Sequence, residues 1–294
     1  MATLLDASES PVRAGAAGRA AAQRRAWQVV THGSVAGVGL LFLFPFAWLV
    51  STSLKTDQEI FRFPPTWYPH TFRWANYGDA VSYIPFFRYL GNTVIICAGA
   101  VVGTLLSCSL TAYAFSRLRW PGRDIVFILI LATMMLPFQA TMIPLYIIFR
   151  TVGWINSYAP LIVPAFFGNA FSIFLFRQFF LTIPFELTDA ARMDGCHELR
   201  LYWNIVLPLS KPALATVGLL TLLSTWTDFL APLIYLNDET KWTLSLGLMQ
   251  FIGLHSAAWG PLMAASVIFT LPLIVLYFFT QKTFVQGIVT TGLK

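Results

Sequence analysis

Apolar residues fall in six long blocks along the chain, and the short stretches between them collect Pro, Gly and most of the charges. The blocks run approximately from His32 to Leu54, Leu90 to Ser116, Asp124 to Phe149, Tyr158 to Phe180, Pro212 to Leu236, and Pro261 to Gln281. A helix needs about 20 such residues to cross roughly 30 Å of hydrocarbon, where no water is available to pair backbone groups. The pattern therefore predicts an all-α, polytopic membrane protein with six transmembrane helices. The first block follows an arginine-bearing stretch, but no small-residue cleavage site follows Val50, so it reads as an uncleaved anchor. Residues 1–31, rich in Ala, Gly, Ser and Arg at their start, are expected to be a disordered tail. The membrane domain is expected over 32–283, with a short tail over 284–294.

Composition agrees with this reading. Of 294 residues 57% are hydrophobic and 11% charged, against about 25% charged in a soluble domain. The net charge of +6 does not point to nucleic acid, because the basic residues are scattered between apolar blocks and form no stripe. Membrane topology accounts for them, since Lys and Arg resist translocation. The N-terminal stretch (Arg13, Arg19, Arg24, Arg25), the second connection (Arg117, Arg119, Arg123), the fourth (Arg177, Arg192, Arg200, Lys211) and the C-terminus (Lys282, Lys294) hold thirteen of the nineteen basic residues. That side is expected to be the cytoplasm, with both termini on it. Cys97 and Cys108 share one predicted helix about 16 Å apart, beyond disulfide reach, and with Cys196 are expected to be free thiols.

The fourth connection is more than a loop. Pro184 suits a first helical turn, Glu186 and Asp189 put negative charge at that helix's positive end, and Gly195 suits a helix terminator. A second helix is predicted to present Leu199, Tyr202, Trp203 and Val206 on one apolar face, with Pro208 and Pro212 ending it. The result is a helix-turn-helix hairpin over 184–209 on the cytoplasmic side. Ala190 and Ala191 would let another protein approach closely, and Glu186, Asp189, Arg192, Asp194 and Glu198 would offer it ion pairs.

Within this hairpin stand Asp189-Ala190-Ala191, then Gly195, Ile205 and Leu207-Pro208 at fixed spacing. The array resembles the EAA motif of binding-protein-dependent ABC import permeases, with Asp in place of the usual leading Glu. Ile183 to Leu187, Arg192 to Gly195, Trp226 to Phe229 and Phe284 to Gly287 look like the maltose-transporter type of carbohydrate permease, in its shorter, six-span form. The resemblance implies the type I ABC importer permease fold and half of a pore shared with a second permease subunit. It also implies two copies of an ATP-binding subunit, which would carry ATP and Mg, and an extracytoplasmic sugar-binding protein. Glu186, Asp189, Ala190, Ala191, Asp194, Gly195, Ile205, Leu207 and Pro208 would then form the ATPase-coupling site. By the same resemblance, the outer segment Lys241 to Ile252 is a candidate dock for the binding protein, and Phe284 to Lys294 a further ATPase contact.

Polar groups inside spans are expensive and default to functional candidates. Asn92, Gln139, Asn169, Gln178, Trp226 and Asp228 stand out among them, and Gln139, Asn169, Trp226 and Asp228 are the candidates for a substrate path. Interhelical hydrogen bonding is the competing role for each, and for Asp228 a structural or gating hydrogen bond is the preferred one. Aromatic Trp67, Tyr68, Trp74 and Tyr77 in the first outer connection fit an interfacial belt among membrane lipids. The chain has no Gly-x-x-x-x-Gly-Lys-Ser/Thr loop, no His-Glu-x-x-His site and no Gly-x-Ser-x-Gly elbow, so no bound cofactor, no metal and no enzymatic step of its own are expected. An ion-coupled secondary transporter or an intramembrane enzyme would be the alternatives on composition. The lack of a basic intramembrane cluster favours a neutral sugar over an anionic cargo.

Overall fold

The computed structural model describes residues 11–253 and 258–292. Among them the regular structure is helical. Four helices are long and apolar enough to cross a membrane: Ala26–Ser53, Phe86–Arg117, Ala159–Thr182 and Trp259–Gln281. Two bent pairs bring the number to six. Five of these stretches correspond to apolar blocks; the other, Glu198–Leu209 with Lys211–Thr227, takes in a helix of the fourth connection and only the first part of the block from Pro212 to Leu236.

The third span is broken. Arg123–Thr133 and Phe138–Thr151 meet at 96°, where the sequence pattern predicted one rod from Asp124 to Phe149. Pro137 causes the break, since it has no N–H to donate and disfavours helical backbone at the residue before it. The fourth span passes through a 3₁₀ stretch, Val163–Phe167, and restarts at Ala170–Thr182. Asn169 caps the restart by accepting a 2.8 Å hydrogen bond from the Ser172 amide. The fifth span, Lys211–Thr227, is interrupted at Asp228 and resumes as Leu230–Tyr235. Irregular backbone at such depth is tolerated only where protein or a cavity surrounds it.

Gly99 and Gly103 sit one turn apart on the second span and allow the first half of the fourth to lie against it. A Cβ on Gly99 would stand 2.7 Å from the Ile162 side chain, and one on Gly103 would stand 2.7 Å from the Phe166 ring. The second span consequently packs against both the fourth and the fifth. The first span lies along the sixth and is otherwise exposed, with Leu40, Leu41 and Phe42 presented outward, as lipid contact requires.

Both ends depart from the expected tails. The first helix starts at Pro11, so residues 11–31, expected to be disordered, are helical as part of it; alanine and arginine are strong helix formers. The sixth helix continues to Gly292 and takes up most of the expected tail over 284–294. Residues 1–10 and 293–294 lie outside the described residues.

Two buried clusters hold the molecule. One joins Tyr113 and Phe115 of the second span to Phe176 and Phe180 of the fourth, Leu201, Tyr202 and Val206 of the hairpin, and Val217 of the fifth. The other, at the end away from the hairpin, gathers Ile84, Phe86, Tyr89, Leu244, Phe251 and Leu262. The connection from Asp238 to Phe251 is tied down by the Asn92 amide, which donates to the Thr240 and Trp242 carbonyls at 3.0 and 2.9 Å. Asn92 thus has an interhelical role. Within the segment 241–252, Leu244, Leu246 and Phe251 are buried, while Met249 and Ile252 are exposed. Trp67, Tyr68 and Trp74 are also exposed, and Trp67 packs on Phe44 and Trp48 of the first span.

Candidate functional site

The hairpin expected over 184–209 is present. Its first helix, Phe185–Met193, follows Pro184 in extended conformation. It ends in a Schellman turn: the Cys196 amide donates to the Ala191 carbonyl at 2.9 Å and the Gly195 amide to that of Arg192 at 3.0 Å. Gly195 adopts φ 78°, a left-handed conformation that favours glycine. His197 then caps the second helix, its Nδ1 accepting from the Leu199 amide. That helix, Glu198–Leu201, widens into a π-helical turn at Tyr202–Val206. Pro208 cannot donate to the carbonyl four residues earlier, and a wider turn relieves the crowding there. The second helix meets the fifth span at 80°.

The expected apolar face of this second helix divides. Tyr202 and Val206 are buried with Leu201, whereas Leu199 and Trp203 are exposed, as are Leu187 and Met193 of the first helix. Ala190 is exposed and Ala191 half-buried, giving a small-residue surface bordered by large apolar side chains. Ile205 and Leu207 are half-buried against the core and anchor the hairpin, and Pro208 is exposed.

The charges are not all available to a partner, contrary to the sequence expectation. Arg192 donates to Glu198 from Nε and to Asp189 from Nη1, both at 2.8 Å. This pairing holds the Glu198 carboxyl below the usual range and raises Arg192 further. Glu186 and Asp194 are exposed and make no ion pair among the described residues. Arg117, at the hairpin end of the second span, is buried, donates to the Phe180 and Ile183 carbonyls and lies 4.4 Å over the Phe185 ring. Sequence reasoning passed over it as a flanking charge, although its place directly after an apolar block was visible.

A second feature lies among the spans. A cleft of about 600 Å³ is lined by Thr104 of the second span, Asn169 and Ser172 of the fourth, and Thr221, Ser224 and Thr225 of the fifth. A smaller cavity of about 140 Å³, lined by Thr93, Asp228 and Thr243, shares Leu161 and Thr225 with it. The two adjoin as one lane in which hydroxyls, the Asn169 amide and the Asp228 carboxylate stand among apolar Ala100, Leu161, Pro164, Phe171 and Leu220. Among the described residues no Lys, Arg or His lines either part.

Of the four path candidates, the structure brings Asn169 and Asp228 to this lane and leaves two outside it. Both lane residues also have structural work: Asn169 caps the fourth span's restart, and Asp228 Oδ1 accepts from the Ala231 amide at 3.2 Å. Trp226 is buried, donates to the Phe269 carbonyl at 3.2 Å and packs on the Phe269 ring, so it joins the fifth span to the sixth. Gln139 is exposed just after the bend in the third span and lies outside the cleft.

Comparison with known proteins places these features in company. Residues 98–290 match the family described as binding-protein-dependent transport system inner membrane component. The chain is 35% identical over 282 residues to the probable ABC transporter permease protein YurM of Bacillus subtilis, covering 92% of this chain and 91% of that one. It is 33% identical over 264 residues to the arabinooligosaccharides transport system permease protein AraQ of the same organism (87% and 92%). To the sn-glycerol-3-phosphate transport system permease protein UgpE of Yersinia pestis it is 34% identical over 259 residues (85% and 92%). Among solved structures, a chain of a bacterial ABC transporter involved in the import of the acidic polysaccharide alginate superposes with a TM-score of 0.78 at 27% identity, covering 89% of this chain and 98% of that one.

Proposed function

The chain belongs to the binding-protein-dependent transport system inner membrane component family, and from that premise we propose that it forms half of the pore of an ATP-driven importer of neutral sugars. In this reading its hairpin couples the closing of a separate ATPase to alternating access of the spans. The observation that carries the coupling role is the hairpin surface: Ala190 lies a turn from exposed Leu187 and Met193, and Leu199 and Trp203 are exposed on the second helix. Small residues let a partner's backbone approach, and a contiguous apolar rim marks a protein contact. Glu186 and Asp194 supply the exposed charges beside it, while Asp189, Gly195, Ile205, Leu207 and Pro208 shape the surface and anchor it.

The hydroxyl lane supports the choice of cargo. Sugar hydroxyls both donate and accept, and Ser, Thr and Asn side chains can satisfy both directions. A carboxylate in the lane, with no cation along it among the described residues, opposes an anionic cargo by like-charge repulsion. ATP and Mg belong, in this reading, to two copies of the ATPase subunit. A second permease closes the open side of the lane, and a binding protein delivers sugar to the outer face where Met249 and Ile252 are exposed. Both chain termini lie in the cytoplasm.

Detergent co-purification of the tagged chain from its native host, with mass identification of partners and an ATPase assay, tests the assignment. A second permease and an ATPase are expected with wild type, and their loss or silencing with Gly195→Asp. A lone chain that transports at full rate and ignores the substitution would overturn it. Uptake competition then tests the cargo: neutral oligosaccharides should compete, and uronates and sugar phosphates should not.

A further inference from the structure

Two of the hairpin's ionic groups, Arg192 and Glu198, turn toward the membrane domain and meet one face of the second span. Ser109, Tyr113 and Arg117 are spaced by four residues, so they stand one above another on that helix. All three are buried. The Ser109 hydroxyl shares a 2.7 Å hydrogen bond with the Tyr202 hydroxyl of the second hairpin helix. The Tyr113 hydroxyl donates to Glu198 Oε2, and its ring meets that of Tyr202 edge-on at 5.4 Å. Glu198 is gripped in turn by Arg192 of the first hairpin helix, whose Nη2 also donates to the Arg117 carbonyl at 3.4 Å. Arg117 completes the circuit by holding the last turn of the fourth span through the Phe180 and Ile183 carbonyls.

We propose that this face of the second span is the arm that carries hairpin displacement into the membrane, with the Tyr113 to Glu198 hydrogen bond as its positioning contact. The inference rests on the coupling role proposed above. A hairpin joined to the spans only through its flanking backbone, at Ile183–Pro184 and at Ser210, would yield locally when pushed. Cross-links from both hairpin helices to one buried helical face make the second span move with them. Coupling through packed side chains and hydrogen-bond networks of this kind requires a contiguous physical path, and here every link is named. Tyr113 and Glu198 touch neither the ATPase nor the sugar in this scheme; they position the parts that do.

The test uses the whole transporter, with its partner permease, ATPase and binding protein, reconstituted in liposomes. Tyr113→Phe keeps the ring and removes the hydroxyl, and Glu198→Gln keeps the shape and removes the charge. For both variants the complex is expected to assemble and hydrolyse ATP at an undiminished rate, while sugar moved per ATP falls about tenfold, a typical size for coupling between sites. The double variant should be no worse than the more affected single one, because both changes weaken one shared contact. An unchanged ratio of sugar to ATP, or transport and hydrolysis falling in proportion as they would in a merely destabilised complex, would overturn the proposal. If Glu198→Gln, which also loses part of the Arg192 pairing, prevents assembly, Tyr113→Phe alone decides. Failure of the coupling role itself would look different: the wild-type chain would hold no ATPase at all.

Discussion

Gly195 has open space where a Cβ would stand, so at φ 78° a substitution there is opposed by backbone conformation and not by packing. Gly195→Ala is expected to destabilise the hairpin by about 1–2 kcal/mol, and Gly195→Asn by less, since Asn visits this region more readily; thermal unfolding of the purified complex would rank them. Asp228 separates its two roles by a different pair of changes. Asn caps a helix about as well as Asp, whereas Ala loses about 1 kcal/mol. Asp228→Asn should therefore leave thermal stability unchanged yet lower initial sugar uptake about tenfold, the scale of a lost charge-assisted hydrogen bond. Equal uptake by Asp228→Asn and wild type would reduce this residue to a cap. Glu198 sets a pH dependence. Arg192 holds its folded pKa below the ordinary value, with Tyr113 and His197 acting in the same direction. Its stabilisation is accordingly complete above the ordinary glutamate pKa of about 4.3 and lost as pH falls through the lower folded value. Amide protection factors in the hairpin, corrected for the pH dependence of intrinsic exchange, should be constant around neutrality and fall below about pH 4, with Glu198→Gln showing no such step. At this scale the sequence made Gly195 legible, because one residue type answers a backbone need. The destination of Asp189 and Glu198 was not legible, since an exposed ion pair and an internal clamp use the same residues and only the folded position of Arg192 tells them apart.

At the scale of elements, six apolar blocks were enough to place six spans, because hydrocarbon thickness imposes a length that any sequence must meet. Straightness was not given by length. The third, fourth and fifth spans break at Pro137, at Gly168–Asn169 and at Asp228, and the last two breaks place polar caps on the cleft. Hydropathy averages over a window and hides such single-residue interruptions. The division of the second hairpin helix escaped for a related reason: Leu199, Tyr202, Trp203 and Val206 fit one helical stripe, but the π turn and the core beneath bury two and expose two. The close approach of the second and fourth spans makes a testable demand. Gly103→Val would drive methyl groups into the Phe166 ring and toward the Ala165 backbone, whose carbonyl carbon a Cβ alone would approach to 3.1 Å. Overpacking of this sort destabilises by about 1–3 kcal/mol, and here it would also pry the 3₁₀ stretch from the second span and deform the cleft. Lower thermal stability together with reduced uptake is expected, and Gly103→Ala should do the same more mildly. Wild-type uptake by Gly103→Val would show that the cleft is not the sugar's route.

For the whole molecule, orientation decides whether the hairpin can meet an ATPase at all. The excess of basic residues beside the spans on the hairpin's side, Arg117, Arg192 and Arg200 among them, is the ground for proposing that it faces the cytoplasm. The protein carries its own probe of this. Of three free cysteines, Cys97 and Cys108 are buried in the second span, while Cys196 is partly exposed in the hairpin turn directly after Gly195. A membrane-impermeant maleimide should label the unsubstituted protein in inverted vesicles and leave it unlabelled in intact spheroplasts, and Cys196→Ser should abolish the signal. Labelling in spheroplasts would reverse the topology and with it the coupling role. Because Cys196 adjoins the surface assigned to the ATPase, bound ATPase should slow the reaction in inverted vesicles, and stripping that subunit should restore it. Protection and topology are then read from one thiol: the first reports whether the hairpin is covered, the second on which side of the membrane the covering protein must be.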